Sequence, residues 1–332
     1  MKKVTAFGEI MLRLSPPDHQ RIVQCSGFDA VFGGSEANVA VTLSNMGIDT
    51  EFVTKLPKNE LGISAENSLR RFGVSTKKLI KGEGRLGIYF LEKGASQRPS
   101  KVIYDREGSA LAKANKNDFC WDEILSNTDW FHWSGITPAI SEKAAEITLD
   151  AVKTAKKKGI TVSCDLNYRS TLWTARKAGE ALSEMMEYTD ILIANEEHLD
   201  LLFGIKSEDA DNAFAEVSKK TSEKFGISQV AMTIRRTLSA DDNKFGAVLY
   251  KDGEIYRSKV YNMHIVDRVG GGDSFAAGLI YGNINNLTFQ DTVEFAAAAG
   301  CLKHSVEGDV GIFTADEVKA LANGSADGRV IR

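Results

Sequence analysis

The chain has 332 residues, 43% hydrophobic and 26% charged, with a formal net charge of −4 and a pI near 5.9. That composition supplies a large core and excludes a disordered chain, and the slight acidity speaks against nucleic-acid binding, which wants clustered positive charge. No run of about 18 apolar residues occurs, and Glu9 interrupts any secretory core at the N-terminus, so no membrane partner and a cytoplasmic location are expected.

Taken in chain order, residues 4–7 read as a buried strand ending at Gly8, and residues 34–46 carry small and apolar side chains at helical spacing before Gly47. Residues 11–33 and 87–106 break the rhythm, with 88–91 and 102–104 resembling antiparallel strands. Both pieces flank the first helix, so they are expected to meet as a small inserted sheet, a lid over that helix's N-terminal end. The main domain of the single unit 1–332 then comprises 1–10, 34–86 and 107–332. The four cysteines, Cys25, Cys120, Cys164 and Cys301, form no CxxC pair or zinc-like cluster and are read as reduced thiols.

Residues 141–158 predict a helix stopped at Gly159, before the strand 160–164 and Asp165-Leu166-Asn167. A helix near 178–188 precedes the strand 191–194, which empties into Asn195-Glu196-Glu197, and the apolar run 229–233 follows. Alternation of this kind predicts an α/β fold with a mostly parallel sheet covered on both faces and ligands beyond the carboxyl ends of its strands. The tail from residue 323 onward is expected to be loosely held.

The most informative stretch runs from Asp267-Arg268-Val269 through Gly270-Gly271-Gly272-Asp273 to Ser274-Phe275-Ala276-Ala277-Gly278. Three glycines let backbone N–H groups approach an oxyanion, and the helix that follows presents its positive dipole end to the same point. A carboxylate placed there would repel phosphate. Either Asp273 caps a helix, or it acts as general base on an incoming hydroxyl while the glycine amides absorb developing charge; the whole context favours the second. Neither G-x-x-x-x-G-K-[ST] nor a G-x-G-x-x-G after the first strand is present, which weighs against a Walker-type site and a nicotinamide dehydrogenase.

These residues resemble the ribokinase-like, or PfkB, carbohydrate kinases over nearly the full chain. The run 267–275 is similar to the family's D-[TR]-x-G-[AG]-G-D-x-F pattern, with Gly271 where alanine is commoner, and Gly33-Gly34-Ser35-Glu36-Ala37-Asn38 looks like its Gly-Gly-x-x-x-Asn segment. The resemblance implies a three-layer α/β/α sandwich with a β-sheet lid. It implies MgATP as donor, Asp273 as base and Gly270, Gly271 and Gly272 as the anion hole. Within the family, residues 8–17, Asp165-Leu166-Asn167-Tyr168-Arg169 and Leu172-Trp173 resemble 2-keto-3-deoxygluconate kinases. That implies Gly33, Gly34 and Asn38 at sugar hydroxyls and Tyr89, Tyr104, Arg106 and Arg169 around the rest of the substrate, where a guanidinium fork would match a sugar carboxylate. Asn167, Asn195, Thr233 and Arg235 are the implied nucleotide contacts.

Two departures stand out. Where the family carries Asn-x-x-Glu near metal and phosphates, this chain has Asn195-Glu196-Glu197-His198, so Glu197 substitutes as metal contact, His198 works through water, or the position has drifted. The nucleotide loop has Arg235-Arg236 in place of glycines. By resemblance, Asp267 and the Val269 carbonyl are candidate contacts of a monovalent cation such as K+, and a homo-oligomer through the lid sheet is implied. The reaction expected is phosphorylation of 2-keto-3-deoxygluconate to its 6-phosphate. A neutral-sugar kinase such as a fructokinase is the alternative within the fold, and a catalytically silent sugar sensor the alternative outside enzymology.

Overall fold

β1 (Lys3–Phe7) buries Val4, Thr5, Ala6 and Phe7, as befits an inner strand of a sheet with both faces covered. This computed structural model describes residues 2–209 and 212–324, so most of the tail lies outside the described residues. After β1 come β2 (Met11–Ser15), β3 (Asp29–Gly33), α1 (Ser35–Asn45), β4 (Asp49–Val53), β5 (Lys55–Pro57), α2 (Glu60–Arg71) and β6 (Ile80–Gly82). β7 (Ile88–Glu92) and β8 (Lys101–Asp105) lead to α3 (Trp121–Ile124), β9 (Trp130–Ser134), α4 (Ile136–Ala139) and α5 (Glu142–Lys157). β10 (Thr161–Asp165), α6 (Ala175–Met186), β11 (Ile191–Ala194), α7 (Glu196–Phe203) and α8 (Ala213–Phe225) continue the alternation. β12 (Gln229–Thr237), β13 (Asp242–Lys251), β14 (Glu254–Arg257) and β15 (Tyr261–His264) precede α9 (Gly271–Ile284), α10 (Phe289–Lys303) and α11 (Ala315–Ala322).

The main sheet runs β14-β13-β12-β11-β10-β9-β1-β4, with β15 also on β13. It is parallel from β4 to β12 and antiparallel beyond. On one face, Val39, Leu43, Phe275, Leu279 and Phe295 pack on Val4, Ile191 and Ala231; on the other, Ile147, Leu182 and Leu199 pack on Phe7, Phe131 and Val230. The α/β fold with a mostly parallel sheet, expected from the alternation of elements, is therefore present. α9 is apolar all round because it lies between the sheet, α1 and α10. Its Gly278 comes so near α10 that an added Cβ would stand 2.7 Å from the Ala296 Cα.

A separate four-stranded sheet runs β3-β2-β7-β8. β7 and β8 pair antiparallel, whereas β2 and β7 are parallel. Met11, Tyr89 and Leu91 of this sheet pack on Val269, so it meets the main domain at the loop preceding α9. Among the described residues no helix is long and apolar enough to cross a membrane.

Candidate active site

Gly270 has φ +82°, a left-handed conformation that disfavours a side chain, and an added Cβ would lie 1.8 Å from the Asp309 carbonyl oxygen. Gly271 rests on the His304 ring, where an added Cβ would come within 2.2 Å of Cε1; the glycine in place of the commoner alanine thus goes with a histidine beneath it. Asp273 sits in the first turn of α9. The Ser35 hydroxyl donates to its Oδ1 at 3.0 Å and the Asn38 Nδ2 to its Oδ2 at 2.7 Å. Burial raises its pKa to about 6, while these hydrogen bonds oppose the rise; Asp309 adds to it and Arg169 acts against it. A carboxyl with a pKa near 6 at the head of a helix is suited to take a proton near neutral pH.

Two more carboxyls stand close by. Asp165, at the end of β10, is raised to about 7 by burial and by Asp273, against the pull of Arg169. Asn167, held at φ +33°, donates its backbone N–H to Asp165 at 3.2 Å. Glu36, also raised to about 7 by burial, accepts from the Ser134 and Thr137 hydroxyls at 2.7 and 2.6 Å and ties α1 to the end of β9. Gly8 leaves it room, for an added Cβ there would stand 2.1 Å from a Glu36 oxygen.

A cavity of about 600 Å³ opens over Asp273. Tyr89 and Tyr104 of the small sheet line it, with Arg106 just after β8 and Arg169 just after β10. The Tyr89 hydroxyl donates to Asp309, and Arg106 pairs with Glu9 while its guanidinium lies 5.8 Å from the centre of the Tyr104 ring. Arg106 Nε and Glu9 Oε1 have no partner. Arg169 is exposed and lines the cavity, and among the described residues its side chain makes no hydrogen bond or ion pair, though its charge acts on Asp165 and Asp273. Gly34 also lines the cavity, and its N–H donates to Asn38 Oδ1 at 3.2 Å; Asn38 thereby has one end on the α1 entry and the other on Asp273.

The lining also comprises Asn167, Asn195, His198, Thr233, Arg235 and Arg268, with Gly270, Gly271 and Gly272. Asn195 caps α7 by accepting the His198 N–H at 2.7 Å. The surrounding protein, and then the Arg268 charge, bring the Arg235 pKa down to about 10, and it has no carboxylate partner. Arg235 beside Arg268, with only Asp241 acting on the second, suits an anion such as a polyphosphate.

Fourteen of the expected positions thus converge on one cavity, and three do not line it. Gly33 lies behind, against the Asp309 carboxylate. Glu197 is exposed on the first turn of α7. Asp267 is buried below the loop, where Arg13 (2.6 Å) and the Gly308 and Val269 N–H groups (both 3.1 Å) bind its carboxylate. Among the described residues no group of three or more His, Cys, Asp or Glu side chains is set to hold a metal. Ser35, Asp309, Glu9 and Arg13 were not singled out from sequence. Ser35, Glu9 and Arg13 lie inside segments that carry the resemblance, whereas Asp309 has no local signal.

The pfkB family of carbohydrate kinases matches residues 1–312. A 2-dehydro-3-deoxygalactonokinase of Haloferax volcanii is 32% identical over 326 residues, 98% of each chain. The crystal structure of 2-dehydro-3-deoxygluconokinase from Thermotoga maritima is 50% identical with a TM-score of 0.95, covering 97% of this chain and 98% of that one. A putative 2-keto-3-deoxygluconate kinase from Enterococcus faecalis is 28% identical with a TM-score of 0.94, covering 100% and 99%.

Proposed function

The chain belongs to the pfkB family of carbohydrate kinases, and on that premise we propose that it transfers the γ-phosphoryl of MgATP to O6 of 2-keto-3-deoxygluconate. The observation that carries the reaction type is Asp273, held by Asn38 and Ser35 in the cavity that Gly270, Gly271 and Gly272 line at the start of α9, where a helix leaves its first N–H groups without partners of its own. For the acceptor, support comes from Arg169, which lines the cavity without an ion pair, from Arg106 in the same lining, and from the 50% identical relative. The carboxylate of a sugar acid gives Arg169 a bidentate partner that a neutral hexose lacks.

In this reading Asp273 takes the O6 proton as that oxygen bonds to the γ-phosphorus and the bond to the ADP oxygen breaks. The α9 amides and Arg235 with Arg268 hold the phosphoryl oxygens as charge shifts toward the leaving group. Asn167, Asn195 and Thr233 position the phosphates, and Gly34, Tyr89 and Tyr104 the sugar. The small sheet (11–33 and 87–106) is the lid whose closure excludes water, which would otherwise accept the phosphoryl group. Exposed Val31, Val102 and Ile103 on that sheet support association of two copies through it. Four unpaired cysteines accord with a reducing cytoplasm.

An ADP-coupled assay against 2-keto-3-deoxygluconate, its galactonate epimer, fructose and ribose tests the reading. Highest kcat/KM on the gluconate is expected. A preference for fructose or ribose would overturn the acceptor, and turnover of the galactonate alone would move the assignment to the epimer.

A further inference from the structure

Lys303, the last residue of α10, is completely buried, with 0% of its surface exposed. Its ammonium donates to the Val306 carbonyl at 3.0 Å and lies 3.5 Å from that of Asp267. Its stem runs directly under the anion hole, for an added Cβ on Gly270 would stand 3.3 Å from the Lys303 Cε. The lysine therefore fills the space below the loop that presents its amides to the cavity.

This is the region where the family resemblance implies a monovalent cation, and its residues do not fit one. The Asp267 carboxylate already accepts three hydrogen bonds, from Arg13, Val269 and Gly308. The Asp309 carboxylate accepts from Arg13 and Tyr89. The Lys303 ammonium already adds a second positive charge beside Arg13 in the field of Asp267, Asp309 and Asp273. A potassium ion at the same place would stand against a buried ammonium, and like charges repel strongly in a protein interior.

We propose that the Lys303 ammonium is a built-in monovalent cation, fixing the loop before α9 so that this kinase works without dissolved K+. Lys303 touches neither reactant and is a positioning residue. Its cation organises inward-pointing carbonyls on the far side of the loop, so that the amides of Gly271 and Gly272 stay turned toward the phosphates.

The test compares KCl with tetramethylammonium chloride at equal ionic strength. Thermal unfolding of the ligand-free protein needs no knowledge of the sugar, so it stands apart from the acceptor assignment. For the native chain the melting temperature, and turnover on whichever acceptor is used, should be the same in the two salts. In Lys303→Met, melting should fall and turnover drop by about tenfold or more in tetramethylammonium. Potassium or ammonium should then restore part of both, a response that a merely structural lysine would not confer. Stabilisation and several-fold activation of the native chain by K+ would overturn the proposal. So would a Lys303→Met protein that melts and turns over like the native chain in tetramethylammonium. If that variant does not fold, the native chain's salt response decides alone.

Discussion

Asn38 and Asp273 lie 235 residues apart in the chain and 2.7 Å apart in space, amide nitrogen to carboxylate oxygen. The contact joins the entry of α1 to the entry of α9, two helices that also pack along their lengths on one face of the sheet. Its consequence is chemical as well as architectural. It holds the carboxylate in place and offsets part of the pKa rise that burial imposes.

Replacing Asp273 by Asn keeps size and retains an acceptor for Asn38 while removing the proton acceptor. Turnover should fall by ~10²–10⁴, the range for loss of a general base, with the melting temperature little changed. Steady-state kinetics with a parallel melting curve checks both halves, and undiminished turnover would reject Asp273 as base.

Removing the Asn38 donor makes a pH prediction whose sign is determined. With the Asp273 pKa at about 6, kcat/KM should decline as pH falls through that region and the base is protonated. The Asn38 hydrogen bond stabilises the charged form, so Asn38→Ala should move this acid limb to higher pH. Asp165, raised to about 7, interacts with Asp273, so the limb reports the pair. A pH profile of kcat/KM shows the shift, and an unmoved limb would contradict it.

Arg169→Ala should raise KM for the sugar acid by about 10- to 100-fold, the equivalent of the ~1.5–3 kcal/mol in a hydrogen bond to a charged group. Any residual activity on a neutral hexose should be unaffected. Equal losses on both classes of sugar would mean that Arg169 does not read the carboxylate.

Gly270→Ala should destabilise the fold and impair turnover together. The left-handed φ of +82° alone costs roughly 1–3 kcal/mol for an alanine, and the 1.8 Å approach to the Asp309 carbonyl must be relieved by moving the loop. Differential scanning calorimetry should record a lower melting temperature, and wild-type stability in this variant would show that the close approach is absent in solution.

Local chemistry made the central elements legible. Three glycines before Asp273, small residues at Ala276, Ala277 and Gly278, and Gly159 after a helical run each record a conformation that their own backbone adopts, so periodicity and turn chemistry suffice to find them. The Gly-Gly-x-x-x-Asn segment was visible through its resemblance to the family's pattern, and it carried Ser35 with it unnoticed. Asp309 was not visible. It follows α10 in a loop without periodicity, and it becomes significant only because Arg13 of the small sheet and Tyr89 of β7 converge on it.

The sequence by itself determined the alternation of strands and helices, the glycine loop and the acid that follows it, since these depend on neighbours a few positions away. Tertiary structure alone decided that Asp165, Glu36 and Asp273 share one pocket, where Asp273 helps to raise the pKa of the other two, and that Lys303 lies beneath Gly270. Burial and Coulomb interaction act through space, and the distance between two remote segments has no imprint on the periodicity of either.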